Sequence, residues 1–406
     1  MGGSSVSYQG KQVKEILLRI GINALFLLPT KVGGTEIYIR NLVKWLAKVD
    51  QQNEYRIFVN KESEGVFKDL PPNMNVVLCP IRAANRPVRI LWEQVVLPVQ
   101  LRLHHIDVLL SAGMTSPFIC PSVSVLVILD LQHRNQPQNF AGYYRLFLRM
   151  IIYLSSKTSD AIIAISQKVK SDIEKYYKIS GDRISAIYLA ADRMRFFQRS
   201  KEEISCIKQK YNLPERFILY IASSLPHKNY QRLLEAYQMV QKEDNNIKLV
   251  LIGARGYGDK AVLKKIRESK LEHCVLFLGW LPAEDIPVIY CASEVFVFPS
   301  LHEGFGIPVL KAMACGVPVV CSRIEPLTEV AGEAALFVDP LQVPEIAEGI
   351  LSVLRDGQLR ERLVKEGLKR AEKFSWEETA LGTLSVLCST VAKPKKRRYG
   401  GRRWRS

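Results

Sequence analysis

The sequence contains no apolar run of the roughly 18 residues that a membrane-spanning helix needs. Its first stretch, MGGSSVSYQGKQVKE, lacks the apolar core of a secretory signal. The eight cysteines include no Cys-x-x-Cys pair, which argues against a zinc site or a disulfide framework. Together these absences predict a cytoplasmic protein whose thiols are reduced.

Two nucleotide-binding signatures are also missing, because neither the G-x-G-x-x-G fingerprint nor a Walker sequence occurs.

A chain of 406 residues exceeds what one hydrophobic core normally supports, so we expect two domains. In the first half, strand-like segments alternate with helical ones, which is typical of a doubly wound α/β domain. The first five strands predicted in this half cover residues 18–27, 55–60, 74–79, 106–111 and 123–131.

The net charge of +17 is unevenly distributed. Residues 1–195 carry 25 Lys and Arg against 15 Asp and Glu, a net charge of +10. Residues 196–392 carry 24 against 25, a net charge of −1, and residues 393–406 add +8. A basic first half and tail suit an anionic membrane, an acidic substrate or a nucleic acid.

The stretch VFVFPSLHEGFGIPVLKAMACGVPVVC, residues 295–321, has the strongest local pattern. It predicts a buried strand, a glycine-bearing loop, a helix over 308–314 that ends at Gly316, and a second buried strand. A glycine loop before a helix N-terminus forms a ligand site at the carboxyl edge of a parallel sheet. Glu303 adds a carboxylate that can accept hydrogen bonds from two hydroxyls, as in a sugar diol.

Residues 303–319, EGFGIPVLKAMACGVPV, closely resemble the donor-site motif of retaining glycosyltransferases of the GT4 family. The family pattern is EGFG-x-P-x-x-E-A-M-A-x-G-x-P-V, and the likeness extends over about residues 18–391, most of all to bacterial mannosyltransferase-like members. The resemblance implies the α/β GT-B fold. In that fold two Rossmann-like, doubly wound parallel-sheet domains face a central cleft, and the last helix crosses back to the first domain.

The resemblance also implies how the chain is divided. Residues 1–195 would form the acceptor-side domain, residues 196–376 the nucleotide-sugar domain, and residues 377–392 the crossing helix. Ser375 and Glu378 form a capping box at the start of that helix. We expect the remaining tail, KPKKRRYGGRRWRS (393–406), to be disordered, because it is dense in charge and poor in apolar residues.

The resemblance assigns the donor sugar to the glycine-bearing loop of the second domain. Glu303 would bind the sugar hydroxyls and act as a catalytic residue. The donor-binding set continues through Gly304, Phe305, Gly306 and Ile307, whose backbone N–H groups can approach the ligand closely.

Other positions match the family's donor site. Lys228, in PHKN where relatives usually read PRKN, corresponds to a lysine that binds the donor diphosphate. Gly33 and Gly34 stand between a predicted strand and helix; alone they favour a tight turn, but in this family the loop faces the donor phosphates. Trp280 and Leu281 resemble the loop against which the nucleotide base lies.

Asp130 is the third residue expected in catalysis, beside Glu303 and Lys228. In many relatives the corresponding run reads His-Asp-Leu, and that His lies near the reacting sugar carbon. Here Leu129 takes the place of the His. His133 follows within a few residues and is a weak candidate to replace it, since a lone His more often packs or is solvated.

Two more site positions depart from the family pattern. His227 replaces the Arg of PRKN, and Lys311 replaces the second Glu of the donor motif. Lys311 cannot accept hydrogen bonds from a ribose diol, and the loss of such a charged bond costs about 1.5–3 kcal/mol. We still place Lys311 among the donor-binding residues, where its ammonium group would bind a ribose oxygen or a phosphate.

The resemblance implies a retaining glycosyltransferase that moves a hexose, with mannose as a candidate, from a GDP- or UDP-sugar to a lipid-linked or polysaccharide acceptor. Glycan and cell-envelope biosynthesis would be its setting, and neither a further cofactor nor a metal is expected. A catalytically impaired scaffold or regulatory subunit of a glycan-assembly complex stays open, because three site positions differ. Nucleic-acid binding by the tail is disfavoured, since no nucleic-acid module accompanies it.

Segments 88–105 and 142–157 combine apolar and aromatic residues with arginines. By default they are amphipathic helices that pack on the sheet. The basic first domain and tail keep open a peripheral association with an anionic membrane, at the inner face of the plasma membrane.

Overall fold

The computed structural model describes residues 17–29, 33–253 and 259–393. The tail predicted to be disordered, residues 393–406, lies outside these ranges except for Lys393.

The first half of the chain folds around a seven-stranded sheet in which every strand pair is parallel. Its central strands are buried at almost every position, which explains their Val, Ile and Leu content. The strands are β1 (Arg19–Asn23), β2 (Glu54–Val59), β3 (Met74–Leu78), β4 (Val108–Ser111), β5 (Val123–Ile128), β6 (Ala161–Ala164) and β7 (Ile184–Ala186). The helices are α1 (Gly34–Val49), α2 (Arg86–Leu103), α3 (Gln132–Asn135), α4 (Gly142–Thr158) and α5 (Gln167–Tyr177).

The second half folds around a six-stranded parallel sheet. Its strands are β8 (Phe217–Ile221), β9 (Lys248–Ile252), β10 (Val275–Gly279), β11 (Val295–Phe298), β12 (Val319–Ser322) and β13 (Leu336–Val338). The helices are α6 (Lys201–Tyr211), α7 (Tyr230–Glu243), α8 (Asp259–Glu268), α9 (Ile286–Ala292), α10 (Ile307–Ala314), α11 (Leu327–Ala331), α12 (Val343–Arg355), α13 (Gly357–Glu372) and α14 (Trp376–Ala392).

The two sheets share one topology. The first has the order β3-β2-β1-β4-β5-β6-β7, and the second has the order β10-β9-β8-β11-β12-β13. In each sheet the strand order reverses between two central neighbours, β1 and β4 or β8 and β11. Ligands of doubly wound sheets bind at the carboxyl ends of such strands. The predicted pair of doubly wound domains is therefore confirmed.

The last helix returns to the first domain, as the resemblance implied. Ser375 caps α14, its hydroxyl accepting from the N–H of Glu378 at 3.0 Å. The helix packs on α1, and the hydroxyl of Thr379 donates to the carbonyl of Tyr188 at 2.7 Å. Burial of this seam couples the two halves of the chain. The domain limits at residues 195, 376 and 392 stay predictions.

Two predicted strands are too long. β1 ends at Asn23 rather than residue 27, because the chain turns there and the Asn60 amide binds the carbonyls of Leu25 and Leu27 at 2.9 and 2.7 Å. β5 ends at Ile128 rather than residue 131, because the Asp130 carboxylate accepts from the N–H of Gln132 at 3.1 Å and the chain enters α3 there. Gly316 takes a left-handed φ of +70° after α10, as predicted.

Candidate active site

The ammonium group of Lys228 and the carboxylate of Glu303 meet at the switch point of the second sheet. Lys228 follows β8 and Glu303 follows β11, and these strands are hydrogen-bonded neighbours. The distance from Lys228 Nζ to Glu303 Oε1 is 2.6 Å, with side chains only 15% and 11% exposed. Two residues 75 positions apart therefore form one charged, largely desolvated site.

The backbone around Lys228 is held rigidly. The Tyr220 hydroxyl donates to the Lys228 carbonyl, and Asn229 takes a left-handed φ of +62°. The Asn229 amide donates to the carbonyls of Pro299 and Pro340 at 2.9 and 2.8 Å. These bonds tie the Lys228 turn to the strand end that carries Glu303, so the ion pair has a preorganised frame.

The loop that follows Glu303 lies against the first domain. The Ser166 hydroxyl donates to the carbonyl of Gly304 at 2.9 Å. A Cβ on Gly304 would overlap the carbonyl oxygen of Leu129 and lie 3.2 Å from the Cβ of Asp130. Gly304 is thus a point of close backbone approach between the domains, and it brings Asp130 beside the Glu303 loop. Phe305 is buried behind it.

The helix α10 begins directly after this loop. Gly306 precedes it with φ +115°, a conformation that side chains other than glycine rarely adopt. Ile307 is the first helical residue, so the N–H groups of Phe305, Gly306 and Ile307 stand at the N-terminus of α10, where backbone donors lack intrahelical partners. This is the arrangement that the glycine pattern predicts.

Three histidines close in sequence to the predicted catalytic residues have different surroundings. The Nδ1 of His227 lies 2.6 Å from the Gln132 amide across the cleft, and burial lowers the pKa of His227 to about 3. His133 is buried within the first domain with its Nε2 3.1 Å from the Tyr177 hydroxyl, and burial lowers its pKa to about 4. His133 therefore has its own partner, which makes it a poor substitute for a cleft imidazole.

His302 is the third imidazole, and sequence reasoning did not single it out. Its Nε2 is enclosed and has no hydrogen-bond partner among the described residues. Burial lowers the pKa of His302, and the carboxylates of Asp130 and Glu303 oppose that shift. The ring is neutral near pH 7 and lies among the expected catalytic groups. One His between Leu301 and Glu303 gives no sequence signal for this.

Lys311 lies at the junction of the two halves. Its Nζ is 4.7 Å from the centre of the Phe196 ring, and the half-buried ammonium group is also near Arg195 and Asp192. Burial, followed by repulsion from Arg195, lowers the pKa of Lys311 to about 8. The substitution of the family's Glu thus places a destabilised cation beside an aromatic ring.

The remaining predicted donor residues follow two other strands, β1 of the first sheet and β10 of the second. Gly33 precedes α1 with φ +54°, and no atom of the described residues lies within 4 Å of a Cβ built on Gly33 or Gly34. Trp280 is 58% exposed and Leu281 is buried just beyond β10, an edge strand of the second sheet. Among the described residues, no three His, Cys, Asp or Glu side chains gather as a metal site requires.

A further contact between the domains was not predicted. The carboxylate of Glu329 on α11 accepts from the N–H of Gln167 at 2.8 Å and from that of Lys168 at 3.3 Å. It therefore caps α5 of the first domain from the second, where the helix dipole favours a carboxylate. A lone Glu in an apolar helix carries no signal for such a role.

Two family models cover most of the chain. The model described as Glycosyltransferase Family 4 matches residues 32–195, and the one described as Glycosyl transferases group 1 matches residues 202–370. The chain belongs to the GT4 family. The motif around Glu303 thus has the family context that its sequence implied.

Curated relatives of this GT4 protein include bacterial mannosyltransferases. The O-antigen chain mannosyltransferase B of Escherichia coli is 36% identical over 242 residues, which cover 59% of this chain and 63% of that protein. The serotype-specific mannosyltransferase WbdA of Escherichia coli is 31% identical over 277 residues, or 64% of this chain and 32% of that protein. The chain matches less than two thirds of either relative.

Solved structures share the fold over nearly the whole chain. Sucrose-phosphate synthase from Thermosynechococcus elongatus superposes with a TM-score of 0.75 at 20% identity, covering 92% of this chain and 99% of that one. Anabaena HepE in complex with UDP and glucose gives 0.73 at 20% identity, covering 92% and 100%. At this identity the likeness establishes the GT-B fold.

Proposed function

We propose that this protein is a retaining glycosyltransferase that transfers a hexose from a nucleotide-diphosphate sugar to a lipid-linked or polysaccharide acceptor. The observation that carries the proposal is the Lys228–Glu303 pair at the switch point, 2.6 Å apart beside the N-terminus of α10. A cation for a diphosphate, a carboxylate for sugar hydroxyls and backbone N–H groups without intrahelical partners stand together there.

Each residue has a role in the transfer. Lys228 binds the diphosphate and stabilises the charge that develops as the bond to the anomeric carbon breaks. Glu303 accepts hydrogen bonds from the sugar hydroxyls, and the N–H groups of Gly304 to Ile307 bind their oxygens. The departing phosphate accepts the proton of the acceptor hydroxyl on the same face. Asp130, from the first domain, orients the acceptor side.

Mannose is the favoured hexose, because both curated relatives named above are mannosyltransferases of Escherichia coli. GDP- and UDP-sugars remain the two donor candidates, and UDP is the nucleotide in the HepE complex. The setting that follows is glycan or cell-envelope biosynthesis on the cytoplasmic side of a membrane.

Calorimetric titration with UDP, GDP and ADP tests the donor site. We expect the native protein to bind one of them and Lys228→Met to bind it at least tenfold more weakly, as loss of a charged hydrogen bond predicts. Turnover assays with sugars of that nucleotide follow. Failure of the native protein to bind any of the three, with a gain in Lys311→Glu, would instead support the catalytically impaired scaffold.

A peripheral position on an anionic membrane forms part of the proposal, and α2 and α4 support it. From Val88 onward, every exposed residue of α2 is apolar except Arg102, and the exposed side chains of α4 are apolar or aromatic. Leu91 and Leu146 are 64% and 69% exposed. The exposed set is Val88, Leu91, Val95, Val99 and Leu103 on α2, with Tyr143, Leu146, Met150 and Tyr153 on α4.

Hydrogen bonds connect α2 and α4, directly and through Ser116, so the exposed residues of the two helices form one surface. The Arg86 guanidinium donates to the Tyr144 hydroxyl at 2.7 Å, which joins their N-terminal ends. The Gln94 amide donates to the carbonyl of Ser116 at 3.1 Å, and the N–H of Ser116 donates to the Ser155 hydroxyl at 3.1 Å. We call the exposed set on α2 and α4 the apolar surface.

The charges around the apolar surface select its occupant. The two helices hold six basic residues, Arg86, Arg89, Arg102, Arg145, Arg149 and Lys157, and a single acid, the buried Glu93. Apolar side chains with a basic surround suit lipid tails and anionic headgroups. None of the described helices is both long and apolar enough to cross the bilayer.

Sedimentation with vesicles tests this surface. We expect binding to phosphatidylglycerol vesicles, weak binding to phosphatidylcholine vesicles, and loss of binding in Leu91→Glu combined with Leu146→Glu. Leu341→Glu, at an exposed leucine of the second domain, is the matched control. Unchanged binding in the double variant, with loss on deletion of 393–406, would assign membrane contact to the tail alone.

A further inference from the structure

Three arginines gather on the inner side of α4 without acidic partners. Arg145 and Arg149 are four residues apart, so they project from one side of the helix. Arg134 lies on α3, which packs against α4. Within the described chain, none of the three forms an ion pair, and Arg145 reaches only a carbonyl, that of Pro137, at 3.3 Å.

Several donors of this cluster are enclosed and unsatisfied. The Nε–H groups of Arg134 and Arg149 are shielded from solvent and find no acceptor among the described residues, and the same holds for the Nδ2 of Asn139. A buried donor without an acceptor costs about 1–3 kcal/mol, more when it is charged. Three such donors in one place indicate a site that an acceptor-rich group completes.

The local charge is positive, and no carboxylate among the described residues forms an ion pair with these arginines. Arg134 lies over the Tyr177 ring, 5.5 Å from its centre, and Arg134 and Arg149 both add to the burial that lowers the pKa of His133 to about 4. His133 is therefore neutral at pH 7. The nearby carboxylate of Asp172 is already bound by Lys168 and by the Asn135 amide at 2.7 Å.

The cluster adjoins both the expected reaction site and the apolar surface. Arg134 follows Asp130 by four residues. The charges of Arg134, Arg149 and Asp130 all influence the pKa of the Tyr177 hydroxyl, so the three lie around one ring. Arg149 sits on α4 next in sequence to Met150, which belongs to the apolar surface. A ligand that fills the cluster can thus reach Asp130 with one end and lipid with the other.

We propose that Arg134, Arg145 and Arg149 bind the phosphate or diphosphate group of a lipid-linked acceptor. The inference rests on the proposed transfer to such an acceptor. Guanidinium groups bind phosphate oxygens in a fork, and the enclosed Nε–H groups supply the donors that this geometry needs. The lipid chain then lies along the apolar surface, and the attached sugar faces Asp130 and the Glu303 loop.

Binding of farnesyl diphosphate, measured by calorimetry on the full chain, tests the site. We expect it to bind at least tenfold more tightly than inorganic pyrophosphate, because only the former contacts the apolar surface. Arg134→Gln and Arg149→Gln should each weaken it roughly ten- to a hundredfold, the loss expected for a charged hydrogen bond. Arg362→Gln on α13, an exposed arginine of the second domain, should leave it unchanged.

Further variants distinguish ligand binding at this site from ligand binding at the donor site. Lys228→Met should lose nucleotide binding but keep farnesyl diphosphate, and Arg149→Gln should do the reverse. Arg145→Gln, whose guanidinium holds one carbonyl, serves if the other variants fail to fold. Equal affinity for farnesyl diphosphate in the native and arginine variants, or its displacement by the bound nucleotide, would overturn the proposal. Equally tight pyrophosphate binding would overturn its lipid part.

Discussion

The hydroxyl of Ser166, in the first domain, donates to the carbonyl of Gly304, in the second, at 2.9 Å. This bond fixes the Glu303 loop against the turn between β6 and α5. Gly304 has no room for a side chain, because the carbonyl of Leu129 occupies the Cβ position. The cleft can therefore close to this distance only with glycine at 304.

Gly304→Ala should hold the domains apart. The added methyl group must displace backbone, which cannot yield as a flexible side chain does, so we expect turnover to fall by at least tenfold. Small-angle scattering should show a larger radius of gyration than that of the native protein. Gly357→Ala, at the start of α13 and away from the cleft, is the matched control, since no described atom lies within 4 Å of a Cβ placed there. Full activity of Gly304→Ala would contradict this account of closure.

Variants of Glu303 and Lys228 should differ in their affinities for the free nucleotide and for the nucleotide sugar. Glu303→Gln keeps the shape of the side chain but removes the charge, so we expect nucleotide binding to remain while affinity for the nucleotide sugar falls roughly tenfold or more. Lys228→Met should weaken both ligands. Calorimetry with the free nucleotide and its sugar measures the difference. Equal losses for both ligands in Glu303→Gln would remove Glu303 from the sugar site.

Much of this fold could be predicted from the sequence, because its signals are local. The continuous apolar strand ahead of Glu303 and the glycine after α10 both occur where predicted, and the parallel topology follows from the alternation of strands and helices. The partnership of Lys228 and Glu303 could be expected only through the family pattern, since 75 residues separate them.

The contacts across the cleft could not be predicted. The bonds of Gln132 to His227 and of Glu329 to the N-terminus of α5 depend on how two domains face each other. No periodicity or spacing in one chain segment encodes that orientation. The same limit hid His302, whose surroundings come from both domains.

His302 should affect turnover more than donor affinity. Its Nε2 finds no partner in the described part of the chain and lies near Asp130 and Glu303, where Leu129 replaces the imidazole that many relatives have. We expect His302→Ala to lower kcat about tenfold or more with little change in KM for the donor. Steady-state kinetics with the donor identified by titration provide the measurement.

The variant Leu129→His tests whether the lower kcat of His302→Ala results from the missing imidazole. In the His302→Ala background it should restore part of kcat, whereas a loss of packing alone would not be rescued. His133→Gln serves as the comparison, since His133 bonds Tyr177 inside the first domain. An unaltered kcat in His302→Ala would show that the ring takes no part in the reaction.

Acid should destabilise the protein through its buried imidazoles. The pKa of His133 is about 4 in the folded protein, against about 6.5 when unfolded. Between these values the unfolded chain binds a proton that the folded chain excludes, so stability is retained above pH 6.5 and falls towards pH 4. His133→Gln should reduce the slope by up to about 1.4 kcal/mol per pH unit. Thermal midpoints from pH 7 to pH 4 measure it, and parallel curves would contradict the assignment.

Lys311 should oppose folding at neutral pH. Its pKa of about 8 lies below that of an unfolded lysine, about 10.5, so the folded protein releases a proton first and its stability rises with pH between these values. Lys311→Met should therefore raise the thermal midpoint by a few degrees at pH 7, and the gain should shrink towards pH 10. Calorimetry on the same variant then decides its role. A stabilised variant with tenfold weaker nucleotide binding would mean that the charge is kept for the donor, whereas undiminished binding would place Lys311 outside the donor site.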